Sequence, residues 1–322
     1  MMEGAARDLT APVFDVKELS VYDGPGMRVT VFLKGCPMRC LWCHNPEGLS
    51  PSPQVMVDRS SCLRCGRCDH VEGCALRESG RCSGCGRCVA VCPAGCRRIS
   101  GEPVRSSVMA GRIVRLSDMF APDDGCGMRY PDAAPDFGGG RRFWGGVTFS
   151  GGEPTSHIDW LEDVSRRLRE HMETGGFFSI AAETSGCCGA GAFGRLLSCA
   201  DLVYFDVKHT DPEIHKRLTG RSSGPIMENL RLLAESRIPF VVRHTLIPCV
   251  NDGDGELESF ASLLASLEAP SLIRAELLPY NPAAGAKYKM ALMDYSPVWD
   301  EKRKPNANVE PFARRGIEAV VL

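Results

Sequence analysis

Short apolar runs alternate along most of this chain with stretches whose apolar residues recur at helical spacing. The apolar runs cover residues 27–33, 146–150, 177–182, 201–207, 239–246 and 272–279, with a last one at 318–322. The helical pattern covers residues 106–119, 156–173 and 225–236. Continuous apolar strands that alternate with helices indicate a parallel sheet. The pattern therefore predicts an α/β fold with six or seven strands. It is consistent with a partial β/α barrel whose chemistry lies at the carboxyl ends of the strands.

One region breaks the alternation. Residues 58–100 are rich in cysteine and glycine, with basic spacers and few large apolar side chains. Such a segment cannot bury an ordinary core, so its order must come from something bound. We therefore predict four segments: 1–57, the start of the main domain; 58–100, a small inserted domain; 101–145, a helix and a long irregular loop; and 146–322, the rest of the main domain with a C-terminal segment.

Composition narrows the function classes. Lys and Arg number 38 against 40 Asp and Glu, a net charge of −2, so no basic surface for nucleic acid is indicated. No apolar run approaches the ~18 residues of a membrane span, and the first residues do not resemble a secretory signal. The chain has 17 cysteines, of which twelve lie between Cys36 and Cys96. In a cytoplasmic protein of this size, so many thiols indicate metal rather than disulfides.

The first cysteine group follows the first predicted strand. Cys36, Cys40 and Cys43 have the spacing C-x3-C-x2-C. Three thiolates on one loop can hold three irons of a [4Fe-4S] cluster and leave the fourth open, whereas an electron-carrying cluster takes four cysteines. The alternative is a zinc site completed by a distant ligand, with His44 the nearest candidate.

This loop, with Trp42 before its last cysteine, resembles the signature of the radical S-adenosylmethionine (SAM) superfamily. The flanking motifs resemble those of a narrower family, the glycyl radical enzyme activating enzymes. Their DGPG motif is present as Asp23, Gly24, Pro25 and Gly26, followed by Met27 and Arg28, and their CHNPE motif runs from Cys43 to Glu47. The resemblance implies a partial (β/α)6 TIM-like barrel of the radical SAM type and a SAM-binding cluster on Cys36, Cys40 and Cys43. It also implies that DGPG contacts the partner's glycine loop.

The second cysteine group resembles two bacterial ferredoxin runs. The runs are Cys62, Cys65, Cys68 and Cys74, with a long last gap, and Cys82, Cys85, Cys88 and Cys92, followed by Pro93. In two-cluster ferredoxins the fourth cysteine of each run binds the other cluster, which assigns Cys92 to the first triplet and Cys74 to the second. Cys96 is a spare thiol or a substitute ligand. We predict an inserted ferredoxin-like bis-[4Fe-4S] domain that relays or stores electrons or has a structural role; a double zinc ribbon is the alternative.

Three motifs after predicted strands resemble the SAM-binding motifs of the family. They are Gly151-Gly152-Glu153, which in the family holds the SAM amino group; Glu183-Thr184-Ser185-Gly186; and Asp206-Val207-Lys208. Lys208 is suited to the SAM carboxylate because its ammonium is a compact charge. The resemblance further implies a monovalent cation near SAM, held by Glu183, Thr184 and Asp206. Taken singly, Glu183 or Asp206 would be an ordinary helix cap.

Two later motifs resemble the family with substitutions. Residues 243–252 resemble R-x-x-L-I-P-G-V-N-D, with Cys249 in place of glycine. Arg243 is expected to meet the SAM ribose, and a core role is the alternative. Residues 277–281 and 286–288 resemble LLPYH and AKY. Asn281 replaces a histidine that contacts SAM in some members, and an amide can hydrogen-bond but carries no charge.

The resemblance implies an oxidoreductase that activates a glycyl radical enzyme. SAM would be cleaved reductively to methionine and a 5′-deoxyadenosyl radical, which would abstract a glycine Cα hydrogen from the partner protein. The cofactors expected are three [4Fe-4S] clusters and SAM, the electron donor a flavodoxin or ferredoxin, and the location an anaerobic cytoplasm, with neither nucleic acid nor membrane as a partner. The 121–145 loop is a second candidate for partner contact.

Two other function classes share part of these features. A radical SAM enzyme acting on a small molecule or a peptide side chain would share the cluster and the GGE motif. A non-catalytic electron carrier would leave Cys36, Cys40 and Cys43 unexplained. The last cysteines have no predicted metal role, and the remaining histidines are expected at the surface; they are Cys126, Cys187, Cys188, Cys199 and Cys249, and His157, His171 and His215.

Overall fold

The computed structural model describes residues 8–120, 145–173 and 179–322. The predicted loop at 121–145 lies outside these ranges except for its last residue, and Cys126 lies outside them too. No helix in the described ranges is long and apolar enough to cross a membrane.

The described strands are numbered in chain order. They are β1 (Thr10–Ser20), β2 (Arg28–Leu33), β3 (Gln54–Val57), β4 (Arg97–Ser100), β5 (Glu102–Arg105), β6 (Gly146–Gly151), β7 (Ser179–Thr184), β8 (Leu202–Asp206), β9 (Phe240–Leu246), β10 (Leu272–Pro279) and β11 (Ala319–Val321). Nine of them form one sheet in the order β11-β10-β9-β8-β7-β6-β2-β1-β5, and β3 pairs with β4. Within this sheet, the neighbouring strands in the stretch β2-β6-β7-β8-β9-β10-β11 all pair in parallel.

The predicted α/β fold with a mostly parallel sheet is confirmed. All seven apolar runs are strands, and the helical patterns at 106–119, 156–173 and 225–236 contain helices. The described α-helices are α1 (Ala75–Ser79), α2 (Arg87–Ala90), α3 (Ser106–Val114), α4 (Ile158–Glu173), α5 (Ala190–Cys199), α6 (Pro212–Thr219), α7 (Gly224–Glu235), α8 (Asp254–Ser266), α9 (Ala284–Met290) and α10 (Glu310–Ala313). The pattern at 106–119 ends earlier than predicted as an α-helix, and a 3-10 turn follows at Ser117–Met119.

The two faces of the large sheet differ in chemistry. One face packs on α4, α5, α7 and α8 through a buried apolar cluster that includes Phe149, Trp160 and Phe205. Burying such side chains stabilises the fold by about 1.5–3 kcal/mol each. On the other face, β6 to β10 present polar residues, among them Glu183 and Arg243, close to the strand ends. Alternating side-chain direction along each strand produces this separation.

Residues 58–100 connect β3 to the end of β4, and we call them the insert. Its helices α1 and α2 are only five and four residues long. Its small apolar cluster centres on Val55, Val57 and Cys88. The division of the chain into four segments stays a prediction.

Candidate functional site

The loop with Cys36, Cys40 and Cys43 begins where β2 ends, at the carboxyl edge of the parallel sheet. Every residue of β2 is buried, so this strand fixes the start of the loop. Backbone hydrogen bonds hold the loop on both sides: Cys36 N donates to Leu49 O at 3.2 Å and Arg39 N to Thr219 O at 2.8 Å. The cysteine loop therefore has a fixed backbone course.

The three cysteines are half-buried and lie beside charged groups. Burial raises the pKa of Cys40 to about 12, against the opposing effect of the Lys208 ammonium. Burial also raises the pKa of Cys36 and of Cys43. Thiolate is the form that binds metal, and burial disfavours it unless a positive charge compensates. Three such thiols on one loop fit a bound iron cluster, which supplies that charge.

The GGE motif packs directly against this loop. Gly152 N donates to Leu33 O at 2.7 Å, and Glu153 N donates to Gly35 O at 2.8 Å. A Cβ on Gly152 would lie 2.5 Å from Gly35 O, so a larger residue would push the two backbones apart. Gly151 has φ +119°, which L side chains rarely adopt. The motif is thus hydrogen-bonded to Gly35, the residue that directly precedes Cys36.

The Glu153 carboxylate is buried and bound entirely by protein groups. Its Oε1 accepts from Thr155 N at 3.3 Å, Thr155 Oγ1 at 2.8 Å and Thr184 Oγ1 at 2.6 Å. Its Oε2 accepts from Ser185 N at 2.9 Å and Ser185 Oγ at 2.7 Å. With five donors satisfied, this side chain holds the β7 loop onto the β6 loop. Both carboxylate oxygens of Glu153 are therefore occupied by protein donors.

Glu183 and Arg243 form an ion pair on the polar face. Arg243 Nη1 lies 2.5 Å from Glu183 Oε1, and Arg243 Nε lies 2.7 Å from Glu276 Oε2. The guanidinium stacks 3.9 Å from the Tyr204 ring centroid. Burial alone would lower the pKa of Arg243, but the Glu183 and Glu276 carboxylates raise it. Glu183 also accepts from Ser150 Oγ, and burial raises its pKa.

Asp206 ends β8 and Lys208 follows it, and both side chains act on Cys40 of the cysteine loop. Lys208 Nζ lies 3.2 Å from Asp206 Oδ2. Burial alone would lower the pKa of Lys208, but the Asp206 carboxylate raises it, and Cys40 also acts in that direction. The structure therefore brings Lys208 to the cluster loop, as a role in binding the SAM carboxylate requires.

The CHNPE and AKY motifs meet, although they are far apart in sequence. Lys287 Nζ donates to Asn45 Oδ1 at 2.6 Å and lies 3.2 Å from Glu47 Oε1. Glu47 is buried, whereas the Lys287 side chain is 34% exposed, so the ion pair lies at the edge of the interior with its carboxylate on the inner side. Nothing in the spacing of either motif indicated this contact. It fixes α9 beside Cys43.

The C-terminal segment covers the same loop, which sequence reasoning missed. Trp299 and Tyr280 pack with Trp42 in one buried cluster, with the Tyr280 and Trp299 rings 5.4 Å apart. Tyr280 Oη donates to Glu301 Oε1 at 2.5 Å. Asn281 is exposed, and its Oδ1 accepts from Ala283 N at 2.9 Å.

The DGPG motif lies in the β1–β2 turn, at the opposite end of β2 from the cysteine loop. Asp23 Oδ2 accepts from Ser20 Oγ at 2.5 Å and Thr30 Oγ1 at 2.7 Å. Gly24 has φ +133°, and a Cβ there would lie 2.8 Å from Arg28 Cδ. Arg28, fully buried, donates to Pro25 O at 3.0 Å. The turn is thus rigid, and Tyr22 beside it is 86% exposed.

Nine cysteines of the insert line one cavity of about 390 Å³; they are Cys62, Cys65, Cys68, Cys74, Cys82, Cys85, Cys88, Cys92 and Cys96. Among the described residues, no three His, Cys, Asp or Glu side chains gather closely enough for one metal ion. A [4Fe-4S] cluster places each thiolate on a different iron, so thiols spread around a cavity fit it. Backbone amides point at two of these sulfurs: Val55 N and Gly84 N each lie 3.3 Å from Cys82 Sγ, and Arg64 N lies 3.4 Å from Cys62 Sγ.

Cys96 joins the two runs. Its Sγ lies 3.4 Å from Cys92 Sγ, and the Cys92 thiol and the nearby Cys62 thiol both raise the pKa of Cys96. Its contact with both agrees with assigning Cys92 to the Cys62 triplet. Two sulfurs as close as those of Cys92 and Cys96 cannot each bind a different iron of the same cluster. Cys74 is buried in the same cavity, so its long gap does not remove it from the ligand set.

The expectation that all three remaining histidines lie at the surface was wrong for His215. This residue is fully buried, and its Nδ1 lies 3.0 Å from Arg221 O. His215 lies on the buried face of the amphipathic helix α6, and the sequence analysis did not use the pattern of this helix. Cys187 and Cys188 are half-buried, Cys199 is buried and Cys249 is exposed.

Comparison with known proteins identifies the family. A model of the radical SAM superfamily matches residues 136–261, and one of a 4Fe-4S single cluster domain matches residues 22–72. The chain is similar to the indoleacetate decarboxylase activating enzyme of Tractidigestivibacter scatoligenes, at 30% identity over 302 residues, covering 87% of this chain and 86% of that protein. It is also similar to the isethionate sulfite-lyase activating enzyme of Oleidesulfovibrio alaskensis, at 32% identity over 299 residues, covering 87% and 86%.

A solved structure agrees at the level of the fold. The radical SAM methyltransferase from Sphaerobacter thermophilus matches with a TM-score of 0.50 at 16% identity, covering 97% of this chain and 77% of that one. The cysteine loop, the strand-end motifs and the sequence relatives converge: the chain belongs to the radical SAM activating enzymes of glycyl radical enzymes.

Proposed function

We propose that this activating enzyme holds a SAM-binding [4Fe-4S] cluster on Cys36, Cys40 and Cys43. The observation that carries the proposal is the convergence of the SAM motifs on this loop: the GGE backbone bonds to Gly35, and Lys208 faces Cys40. When bound there, the cluster would supply the electron for reductive cleavage of SAM to methionine and a 5′-deoxyadenosyl radical, the species that would take a glycine Cα hydrogen from the partner.

The chain's own residues bind and orient SAM. Lys208 pairs with its carboxylate, and the backbone of Gly151 and Gly152 accepts from its amino group. Glu153 is a positioning residue, since its five protein hydrogen bonds fix that backbone. Trp42 and Trp299 close the outer side of the loop and exclude water. Arg243, held by two carboxylates, is directed at the ribose.

The residues expected to hold a cation near SAM are already paired within the protein. Glu183, Thr184 and Asp206 each have a protein partner. Arg243 and Lys208 supply positive charge to the two carboxylates. We therefore keep the cation as a prediction from the family and assign it no role.

The partner is a glycyl radical enzyme, which we propose contacts the chain at Asp23, Gly24, Pro25 and Gly26. The rigid turn, with exposed Tyr22 beside it, supports a docking role. The insert would carry two further clusters, three in all, and receive electrons from a flavodoxin or ferredoxin in the cytoplasm.

The test uses the chain reconstituted anaerobically with iron and sulfide. With SAM and dithionite it should release 5′-deoxyadenosine and methionine, and metal analysis should find about twelve irons per chain if all three clusters form. With a candidate glycyl radical enzyme, electron paramagnetic resonance (EPR) should show a glycyl radical doublet. No SAM cleavage would indicate an electron carrier. Cleavage without a glycyl radical, with every candidate partner tried, would indicate a different radical SAM enzyme.

A further inference from the structure

The β3–β4 ribbon has an end at the main domain and an end away from it. At the Gln54 end, Lys34 of the main domain donates to Gln54 Oε1 at 3.5 Å, and a Cβ on Gly101 would lie 2.1 Å from Lys34 Cδ. At the opposite end, Val57 pairs with Arg97, and Asp58 N donates to Cys96 O at 2.8 Å. The ribbon therefore defines a direction through the insert, from the end at the main domain to the end away from it.

The first cysteines of the two runs, Cys62 and Cys82, lie at different points along this direction. Cys82 Sγ accepts from Val55 N, near the main-domain end. Cys62 and Cys92 meet at Cys96, which is bonded to the far end. We call the cluster site of the Cys82 triplet the inner site and that of Cys62, Cys65, Cys68 and Cys92 the outer site. Electrons bound for the main domain would thus enter most directly at the outer site.

The surface beside the outer site is a shallow groove. It is lined by Arg67, His70, Ala90, Val91, Cys92 and Pro93. Val91 is 39% exposed, and Leu63, on the neighbouring turn between Cys62 and Cys65, is 68% exposed. Within the described part of the chain, neither Arg64 nor Arg67 has an ion-pair partner, and both are exposed. We call this surface, with Leu63 and Arg64, the outer groove.

The insert and the rest of the chain differ in the sign of their charge. Residues 58–100 contain eight arginines and four carboxylates, whereas Asp and Glu outnumber Lys and Arg over the remainder. A small apolar patch with a basic rim suits a weak encounter with an acidic protein, because redox partners use small interfaces and electrostatic steering. Each bound [4Fe-4S]2+ cluster carries a charge of −2 with its four thiolates, so two clusters cancel the excess of four positive charges in the insert. The exposed guanidinium groups then set the local field at the surface rather than the net charge.

We propose that the outer groove docks an acidic one-electron carrier protein, which reduces the outer cluster. The proposal rests on the proposed function, in which the insert holds two clusters. One electron leaves the reduced carrier and converts a [4Fe-4S]2+ cluster to [4Fe-4S]+. The carrier is oxidised by one electron; no covalent bond forms or breaks, and no proton moves.

The test measures cluster reduction by stopped-flow absorbance in the fully reconstituted chain, with an acidic flavodoxin in its hydroquinone state as the donor. The variant carries Arg64→Glu and Arg67→Glu, and the control carries Arg231→Glu, an exposed arginine on α7. We expect the second-order rate of the variant to fall about tenfold at low ionic strength and to approach that of the parent chain at high salt. The control should match the parent.

Dithionite separates docking from other effects. Reduction by dithionite, iron content and dithionite-driven glycyl radical yield should be the same in variant and parent. An unchanged flavodoxin rate would overturn the proposal, as would an equal loss in the control. A lowered cluster midpoint potential that accounts for the slower rate would show that the arginines act on the cluster. Loss of glycyl radical yield with dithionite would show that the groove docks the glycyl radical enzyme. Because the readout is cluster reduction, a chain that failed to cleave SAM would still test this groove.

Discussion

The polar face of the main domain and the insert hold their charged and polar groups by different means. On the polar face, protein partners satisfy the groups: Glu153 accepts five hydrogen bonds, and Arg243 pairs with two carboxylates. In the insert, nine thiols surround a cavity, and its helices have at most five residues. The main domain therefore builds its site before any ligand arrives. The insert depends on what it binds.

The largest effect should follow removal of iron. Without clusters, residues 58–100 should lose their order because the small core around Val55 and Val57 cannot balance the conformational entropy. Hydrogen exchange should rise by orders of magnitude in the insert, while β6 to β9 keep their protection. Limited trypsin digestion should cut the apo chain at the insert arginines first. Equal protection of the insert from hydrogen exchange with and without iron would contradict the proposed difference between the insert and the main domain.

The next effect separates the clusters from each other. Cys40→Ala should abolish SAM cleavage and remove about four irons, while the EPR signals of the insert remain. Cys82→Ala should lose iron from the insert and spare the loop. Cys199→Ala, which removes a buried thiol of α5 outside both groups, is the control and should keep all iron. Zinc in place of iron in any of these preparations would contradict the cluster assignment.

Asp23 tests whether the DGPG turn serves the partner. Asp23→Ala should spare reductive SAM cleavage but abolish glycyl radical formation, since the turn lies at the other end of β2 from the cluster loop. Ser20→Ala is the matched control: it removes one donor to Asp23 but keeps the carboxylate, and it should retain radical formation. Both assays use the same anaerobic preparation. If Asp23→Ala lost SAM cleavage together with glycyl radical formation, Asp23 would serve the fold of the enzyme and not the partner.

The smallest expected effect is on stability. Glu153→Gln would turn an amide donor toward groups that already donate, which should cost about 1–3 kcal/mol and lower the unfolding midpoint in urea. Ser185→Ala removes one of the five donors and should cost about 0.5–1.5 kcal/mol. Hydrogen exchange of the β7 loop gives the local readout. An unchanged midpoint in Glu153→Gln would show that the carboxylate does not hold the two loops together.

Sequence reasoning succeeded where one local pattern decides the outcome. Seven apolar runs became strands because a buried parallel strand is apolar along its length. It missed β1 and β5, whose exposed positions interrupt the pattern. It also missed the Lys287–Glu47 pair, since contacts between distant segments leave no local trace. The five-donor role of Glu153 required coordinates for the same reason.

The central claim is hydrogen abstraction from a glycine of a partner protein. A candidate glycyl radical enzyme, labelled with glycine deuterated at Cα, is incubated anaerobically with the reconstituted chain, SAM and dithionite, and 5′-deoxyadenosine is analysed by mass spectrometry. The account expects one deuterium in 5′-deoxyadenosine, in step with the growth of the glycyl radical signal. Unlabelled 5′-deoxyadenosine accompanied by a full glycyl radical signal would contradict it.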